Sequence, residues 1–324
     1  MSAPSEALSE FDLIERLFRP LSGPGARALV DDAGILAPPP GSDVIVTKDL
    51  MVEGRHWLPD TDPALVAEKL LAVNLSDLAA MGAGPQGYLL GLVLPAPLDM
   101  AWPSRFAEGL GRAQSHHGIA LLGGDTTRSG PGGARMLSLT AFGWVENGRA
   151  LYRSRAEPGQ QVYVSGTIGD AALGLKMAQG AVPPDTAMLD RLHRPTPRLA
   201  LGRALVASAG ACIDISDGLL ADAGHVAKAS GVALKLFAPR IPLSPSARAW
   251  VGEDVDRLME LVTGGDDYEL LFTAPPGLPS SLAGVAVTAI GTVEEGAGVR
   301  LLDAHGRAIA VNRAGYDHFR GAEG

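Results

Sequence analysis

The chain has 324 residues, enough for about two domains of ordinary size, and 46% of them are hydrophobic, so cores of full size can form. Aromatic residues supply only 5%, which leaves packing to Ala, Leu and Val, and the net charge of −9 (36 acidic against 27 basic residues) excludes the basic footprint of a nucleic-acid binder. The single cysteine, Cys212 in the apolar run GACIDIS, excludes a disulfide framework and a zinc ribbon. The N-terminus MSAPSEALSEFDL lacks the basic-then-apolar order of a secretory leader and no apolar run reaches membrane-spanning length, so a soluble cytoplasmic protein without a membrane partner is expected.

In chain order, residues 11–18 (FDLIERLF) read as a short amphipathic helix and RPLSGPGA as loop. SDVIVTKDLMVEG alternates as a strand does. A helix follows from Asp62 into AVNLSDLAAMG, and at helical spacing Leu70, Val73, Asn74, Asp77 and Met81 share one face. A carboxylate on an apolar face must be compensated or become neutral. Asp77 therefore calls for a cap, a basic partner or a metal ion, with Asn74 placed to brace it from one turn upstream. YLLGLVLP is predicted strand, 101–117 helix, and IALLGG and RMLSLTAFGWV strands. The turn-rich VENGRALYRSRAEPGQ places a boundary near residue 149, giving domains 1–148 and 149–324. The second half begins with the strand QVYVSG and a helix from Asp170; helices near 198–208 and 217–229 flank the strand ACIDIS, and GVALKLF, YELLFTA, GVAVTAIG and VRLLD are further strands. Hairpins such as VRLLDAHGRAIAV break a strict strand–helix rhythm, so the expected class is α/β of the α+β kind, two domains with mixed sheets.

Aspartates recur at expected element ends: Asp31-Asp32 in VDDAG, Asp49 in VTKDL, Asp77 in NLSDLAAMG, Asp125 in LLGGDTT, Asp214 and Asp217 in IDISDG, and Asp266-Asp267 in TGGDDYELLF. Each alone reads as a cap or a turn. As a set they would repel one another strongly, by roughly 4 kcal/mol per pair at 4 Å and an effective dielectric near 20. Hard oxygen ligands without His or Cys select Mg²⁺ or Mn²⁺ rather than zinc, and carboxylate-bound magnesium sharing phosphate oxygens is the apparatus of phosphoryl transfer. Metal would also reconcile an acidic chain with a polyphosphate substrate. Both halves hold a Gly-Gly-Asp expected to end a strand, a hint of a duplicated unit. The P-loop, G-x-G-x-x-G, H-E-x-x-H and G-x-S-x-G signatures are absent.

Taken in order, DDAGIL, VTKDLMVEGRHW, AEKLLAVNLSDLAAMGAGP, LLGGDTTRS, RALYRS, IDISDGLLADAGHVAKAS, GGDDYELLF and GYDHF resemble the thiamine-monophosphate kinase family over nearly the whole chain. The wider superfamily, with aminoimidazole ribonucleotide synthetase and selenophosphate synthetase, shares the acidic motifs but is less similar in VEGRHW and GGDDYELLF. The resemblance implies two PurM-like domains, a homodimer formed through the N-terminal ones, and ATP with several Mg²⁺ ions in a cleft that the C-terminal domain completes. It implies an enzyme that phosphorylates thiamine monophosphate to the diphosphate. Residue by residue it implies metal positions at Asp32, Thr47, Asp49, Asp77, Asp125, Asp214 and Asp217, with Asp77, Asp125 and Asp217 nearest the chemistry. It implies ATP contacts at Gly124, Asp125, Arg153 and Ser216, and substrate contacts at His56, Asp266 and Tyr316. A substrate phosphate is already ionised and needs no general base, so positioning and charge neutralisation suffice. Two departures stand out: Lys48 replaces a small hydroxyl residue beside Asp49, and Asp266 replaces the more common Glu. Another ATP-using activity of the superfamily, or a non-catalytic Mg-nucleotide-binding module, is the alternative reading. By spacing alone, Asp222 and His225 read as a helix-stabilising pair.

Overall fold

Alternation in SDVIVTKDLMV gives a strand, and the apolar stripe after Asp62 gives a helix. The computed structural model, which describes residues 10–311 and Gly315, contains both. Its elements are α1 (Glu10–Leu13), β1 (Ser42–Val52), α2 (Pro63–Ala80), β2 (Gly84–Pro95), α3 (Ala101–His117), β3 (Ala120–Ser129) and β4 (Met136–Glu146). There follow β5 (Gln161–Ser165), α4 (Asp170–Ala178), α5 (Thr186–His193), α6 (Leu199–Leu205), β6 (Cys212–Asp214) and α7 (Leu219–Ser230). The chain closes with β7 (Ala233–Phe237), α8 (Pro245–Val251), α9 (Val255–Val262), β8 (Leu270–Ala274), β9 (Ser281–Leu282), β10 (Val285–Glu294) and β11 (Gly298–Leu302). The chain divides into two units, Met1–Leu75 with Pro85–Trp144, and Ser76–Gly84 with Val145–Gly324. No helix among the described residues is long and apolar enough to cross a membrane.

In the first unit the strands lie in the order β1-β4-β2-β3, with β2 and β3 parallel. Leu137, Leu139 and Ala141 of β4 are fully buried on one face of this sheet. The alternate residues face outward: Val44, Val46 and Leu50 of β1, Leu89 of β2 and Met136 of β4 are exposed. Tyr88 is fully buried in β2 and donates to Gln114 Oε1 of α3 at 2.9 Å. Surface ion pairs Arg105–Asp62 (2.8 Å) and Arg112–Glu68 (2.6 Å) tie α3 to α2 and its start. The stretch expected as one helix is four residues of α-helix followed by a wider π turn over Ile14–Phe18, which buries both Leu13 and Phe18.

The second unit carries the order β11-β7-β10-β5-β8-β6, in which β11–β7 is parallel and the other pairs are antiparallel. Period-two alternation sends side chains to two cores. Val162, Val164, Ile213 and Leu271 pack with Leu219, Ala223 and Val226 of α7. Tyr163, Cys212, Leu270 and Phe272 pack with Leu201 and Leu205 of α6 and with Ala79 and Ala80 at the end of α2. Both faces of the sheet are thus covered. The expected mixed-sheet α/β class is the observed one. The hairpin expected at VRLLDAHGRAIAV is present in short form. An antiparallel bridge joins Leu302 to Ala308, and Asp303 N–H donates to Arg307 O at 2.9 Å and Ile309 N–H to Leu301 O at 2.8 Å, around a turn whose amides at His305 and Arg307 donate to Asp303.

Candidate active site

In the first unit, Asp32, Gly124 and Asp125 line a cavity of about 150 Å³ together with Phe18, Leu90 and Leu122. The same three residues line a second cavity of about 610 Å³ on the outer sheet face, with Leu89, Ser138 and Phe142. The neighbouring Asp31 is engaged by Arg27. Arg27, Ala28 and Leu29, just upstream, have φ of 49°, 57° and 58°, three successive left-handed residues without a glycine. That conformation costs roughly 1–2 kcal/mol per residue. The first Gly-Gly-Asp lies inside β3 rather than at its end, and the reason is steric. Leu90 pairs with Gly124, and a Cβ at Gly124 would stand 2.0 Å from the Leu90 carbonyl oxygen. Close strand approach therefore accounts for this glycine. The second Gly-Gly-Asp follows α9 rather than a strand, so the hint of a duplicated unit fails.

Thr47 and Asp49 alternate with outward-facing Val46, Lys48 and Leu50, so they sit on the opposite face of β1 from the larger cavity. The Lys48 ammonium donates to the Ser138 hydroxyl on that outer face. The Lys48 departure therefore points its side chain away from the Asp49 carboxylate. His56 follows β1 in a turn where its Nδ1 accepts the Val52 N–H at 3.0 Å, which places the proton of a neutral ring on Nε2. Buried Lys69 reaches the His56 carbonyl at 3.5 Å.

In the second unit, folding gathers acids that are far apart in sequence. Asp214 closes β6 on the same side as Cys212, where the end of α2 packs, and it is 3% exposed. Burial first, then the Asp77 carboxylate, hold Asp214 well above the usual carboxylate range; the Ser76 hydroxyl opposes them, Asp222 adds to the rise and Arg153 relieves it. Asp217, Asp222 and His225 each offer a ligand atom within 4.8 Å of the others. Asp222 is also pushed up, to about 7, by burial and then by Asp217. Arg153 eases both Asp214 and Asp222, so it lies within electrostatic reach of the cluster. The carboxylates of Asp217 and Asp222 and the like-charge pressure of Asp77 on buried Asp214 fit a hard divalent cation.

Two readings from spacing are corrected here. Asn74 does not brace Asp77 with its amide: its Nδ2 donates to the Leu70 carbonyl at 2.9 Å, one turn back along its own helix. Asp222 does not serve mainly as a partner of His225. Its Oδ2 accepts the N–H groups of Ser216 (3.0 Å) and Asp217 (3.1 Å), pinning the SDG turn ahead of α7. Its place four residues into the helix that opens at Gly218 was the available signal.

The GGDDYELLF stretch forms a strained turn against that same SDG segment. Asp266 and Tyr268 have φ of 70° and 51°. Their N–H groups donate to Ser216 O (2.9 Å) and Ile215 O (2.8 Å). Gly265 is required by contact, since a Cβ there would meet Ser216 O at 2.2 Å. Asp267 accepts the Gly169 N–H at 2.7 Å at the start of α4, and burial pushes its carboxyl up to about 8. Arg191 bonds the Asp267 carbonyl (3.1 Å) and Glu269 (2.8 Å), while Arg198 grips the fully buried Glu269 at 2.7 and 2.5 Å. This Glu–Arg–Arg network was missed from sequence. Tyr316 lies outside the described residues.

With this geometry in hand, known proteins give the context. The family model for the AIR synthase related protein, N-terminal domain, matches residues 30–145. The thiamine-monophosphate kinase of Caulobacter vibrioides is 44% identical over 331 residues, covering 98% of this chain and 93% of that one. The chain belongs to the thiamine-monophosphate kinase family. The Escherichia coli K12 thiamine-monophosphate kinase is 39% identical, with 97% of this chain and 99% of that one covered. Among solved structures, the thiamine-monophosphate kinase from Stenotrophomonas maltophilia K279a superposes with a TM-score of 0.78 at 40% identity, covering 87% and 91% of the two chains. AaThiL complexed with AMPPCP and TMP gives 0.78 at 31% identity, covering 98% and 100%. Membership of the thiamine-monophosphate kinase family makes the chain a phosphotransferase that uses ATP, and the PurM-like fold expected from the motifs is the one these structures share.

Proposed function

We propose that the chain transfers the γ-phosphoryl group of ATP directly to the phosphate of thiamine monophosphate, giving thiamine diphosphate and ADP, with magnesium as its metal. The carrying observation is the convergence of Asp77 and Asp222 on buried Asp214, with Asp217 beside Asp222, a set of like charges that a divalent cation would relieve. In the second unit Asp77, Asp214 and Asp217 hold magnesium; in the first, Asp32, Thr47, Asp49 and Asp125 are the corresponding ligands. Magnesium held by these residues would supply charge neutralisation at the phosphates. The chain's own part is positional: Arg153 adds positive charge beside the carboxylates, Gly124 and Ser216 lie along the nucleotide, and His56 and Asp266 hold the thiamine moiety. The nucleophile is a phosphate oxygen ionised at neutral pH, so no protein base removes a proton.

A homodimer through the first unit is part of this proposal. It is supported by the outer face of that unit's sheet, where Val44, Val46 and Leu50 stand 44%, 56% and 53% exposed with Leu89 and Met136, an apolar set of the kind that marks interaction faces. The decisive experiment incubates the protein with ATP, Mg²⁺ and thiamine monophosphate and identifies products by chromatography. Thiamine diphosphate formed in step with ADP is expected, and Asp217→Asn should lower turnover by about two orders of magnitude or more with the circular dichroism spectrum unchanged. ADP without thiamine diphosphate would point to another ATP-using activity of the superfamily; tight nucleotide binding without any product would point to a binding module.

A further inference from the structure

Tyr268 holds a backbone conformation that tyrosine rarely adopts. A bulky residue at positive φ is an outlier, and strain of this kind persists only where the surroundings enforce it. Tyr268 sits at φ 51° and is half-buried. The turn is enforced from beneath by buried Asp267 on the start of α4, by the Arg191 bond to the Asp267 carbonyl, and by the amides of Asp266 and Tyr268 on the Ile215–Ser216 backbone. In an extended chain, residues two apart stand roughly 7 Å from each other and their side chains run side by side. A phenol hydroxyl would then project past a short aspartate. Here the left-handed turn curls the chain so that the Tyr268 hydroxyl donates to Asp266 Oδ1 at 3.1 Å.

We propose that Tyr268 is a specificity-determining positioning residue: its hydroxyl fixes the Asp266 carboxylate in one rotamer, and the fixed carboxylate sets the affinity for the cationic ring of the phosphate-bearing substrate. This deepens the function proposed above and rests on it. The Asp266 side chain is short, and the Tyr268 hydroxyl at 3.1 Å is a side-chain donor to its carboxylate. Tyr268 acts through Asp266 and leaves the nucleotide to other residues.

The test is a double-mutant cycle with Tyr268→Phe, Asp266→Asn and both together, with KM measured separately for thiamine monophosphate and ATP. Removing a hydrogen bond to a charged group is expected to raise KM for thiamine monophosphate about tenfold in Y268F, with KM for ATP changed by less than about twofold. The double variant should match Asp266→Asn alone, because Tyr268 has no second route to the substrate. Additive effects, an unchanged KM for thiamine monophosphate, or a joint rise of both KM values with a lower unfolding midpoint would overturn the role of Tyr268. Wild-type protein is assayed first: failure to form thiamine diphosphate overturns the substrate assignment, whereas active wild type with an unaltered Y268F overturns the Tyr268 proposal alone.

Discussion

At Asp222 a single carboxylate oxygen accepts two amide protons, from Ser216 and Asp217, and almost nothing else in the SDG turn holds those amides. Asp222→Ala removes the acceptor and is expected to destabilise the fold by about 1–3 kcal/mol, read as a lower urea midpoint. It should also reduce kcat, because the turn carries Asp217. Asp222→Asn keeps an acceptor oxygen and should lose less of both. Spacing could place Asp222 and His225 one turn apart, but it could not say that the carboxylate folds back beneath its own helix start. The same limit applies to Asn74, whose amide turns to Leu70 O, and to Gly124, whose necessity comes from Leu90 on the paired strand β2. Sequence motifs did reach Asp214, through the recurrence of aspartates at expected element ends and the likeness of IDISDG to a known family, since alone it reads as a cap or a turn.

Elements with strong periodicity were legible: β1, α2, α3 and α7 follow directly from alternation or helical stripes. The short helices α5, α8 and α9 were not, although each has a side-chain cap. Asp185 accepts from Ala187 N–H at 2.8 Å, Ser244 from Ala247 N–H at 3.2 Å, and Asp254 from Asp256 N–H at 2.9 Å. Caps were present, yet helices of seven or eight residues show too few turns for an apolar stripe to emerge. The left-handed run at 27–29 makes a prediction at this scale. Ala28→Gly relieves the steric cost and adds chain entropy, for a net gain of up to about 1 kcal/mol in urea unfolding. At the network joining α5, α6 and β8, Glu269→Gln leaves Arg191 and Arg198 facing a neutral partner and should cost about 3–5 kcal/mol by the same measurement.

For the whole molecule, the raised carboxyls set the pH profile. Asp222, at about 7, and Asp267, at about 8, keep protons in the folded state that ordinary carboxyls near 3.8 lose. The folded chain therefore binds more protons than the unfolded chain between those limits. Their contribution to stability is complete below pH 3.8 and is lost as pH rises through 7 and 8. The urea midpoint should fall between pH 5.5 and pH 8.5, and Asp267→Asn should flatten that slope. The proposed dimer predicts that Val46→Lys, on the open sheet face, yields monomers by light scattering with each unit still folded.

The central claim is that carboxylates converging at Asp214 act through bound magnesium, and the dependence of turnover on Mg²⁺ concentration tests it most directly. Wild type is compared with Asp214→Asn and Asp217→Asn at saturating ATP and thiamine monophosphate. The account predicts no turnover in EDTA and, for both variants, a half-saturating Mg²⁺ concentration raised about tenfold or more with partial recovery at high Mg²⁺, as expected when a metal ligand is lost. Turnover that persists in EDTA, or variants whose Mg²⁺ curves superpose on that of wild type, would contradict it.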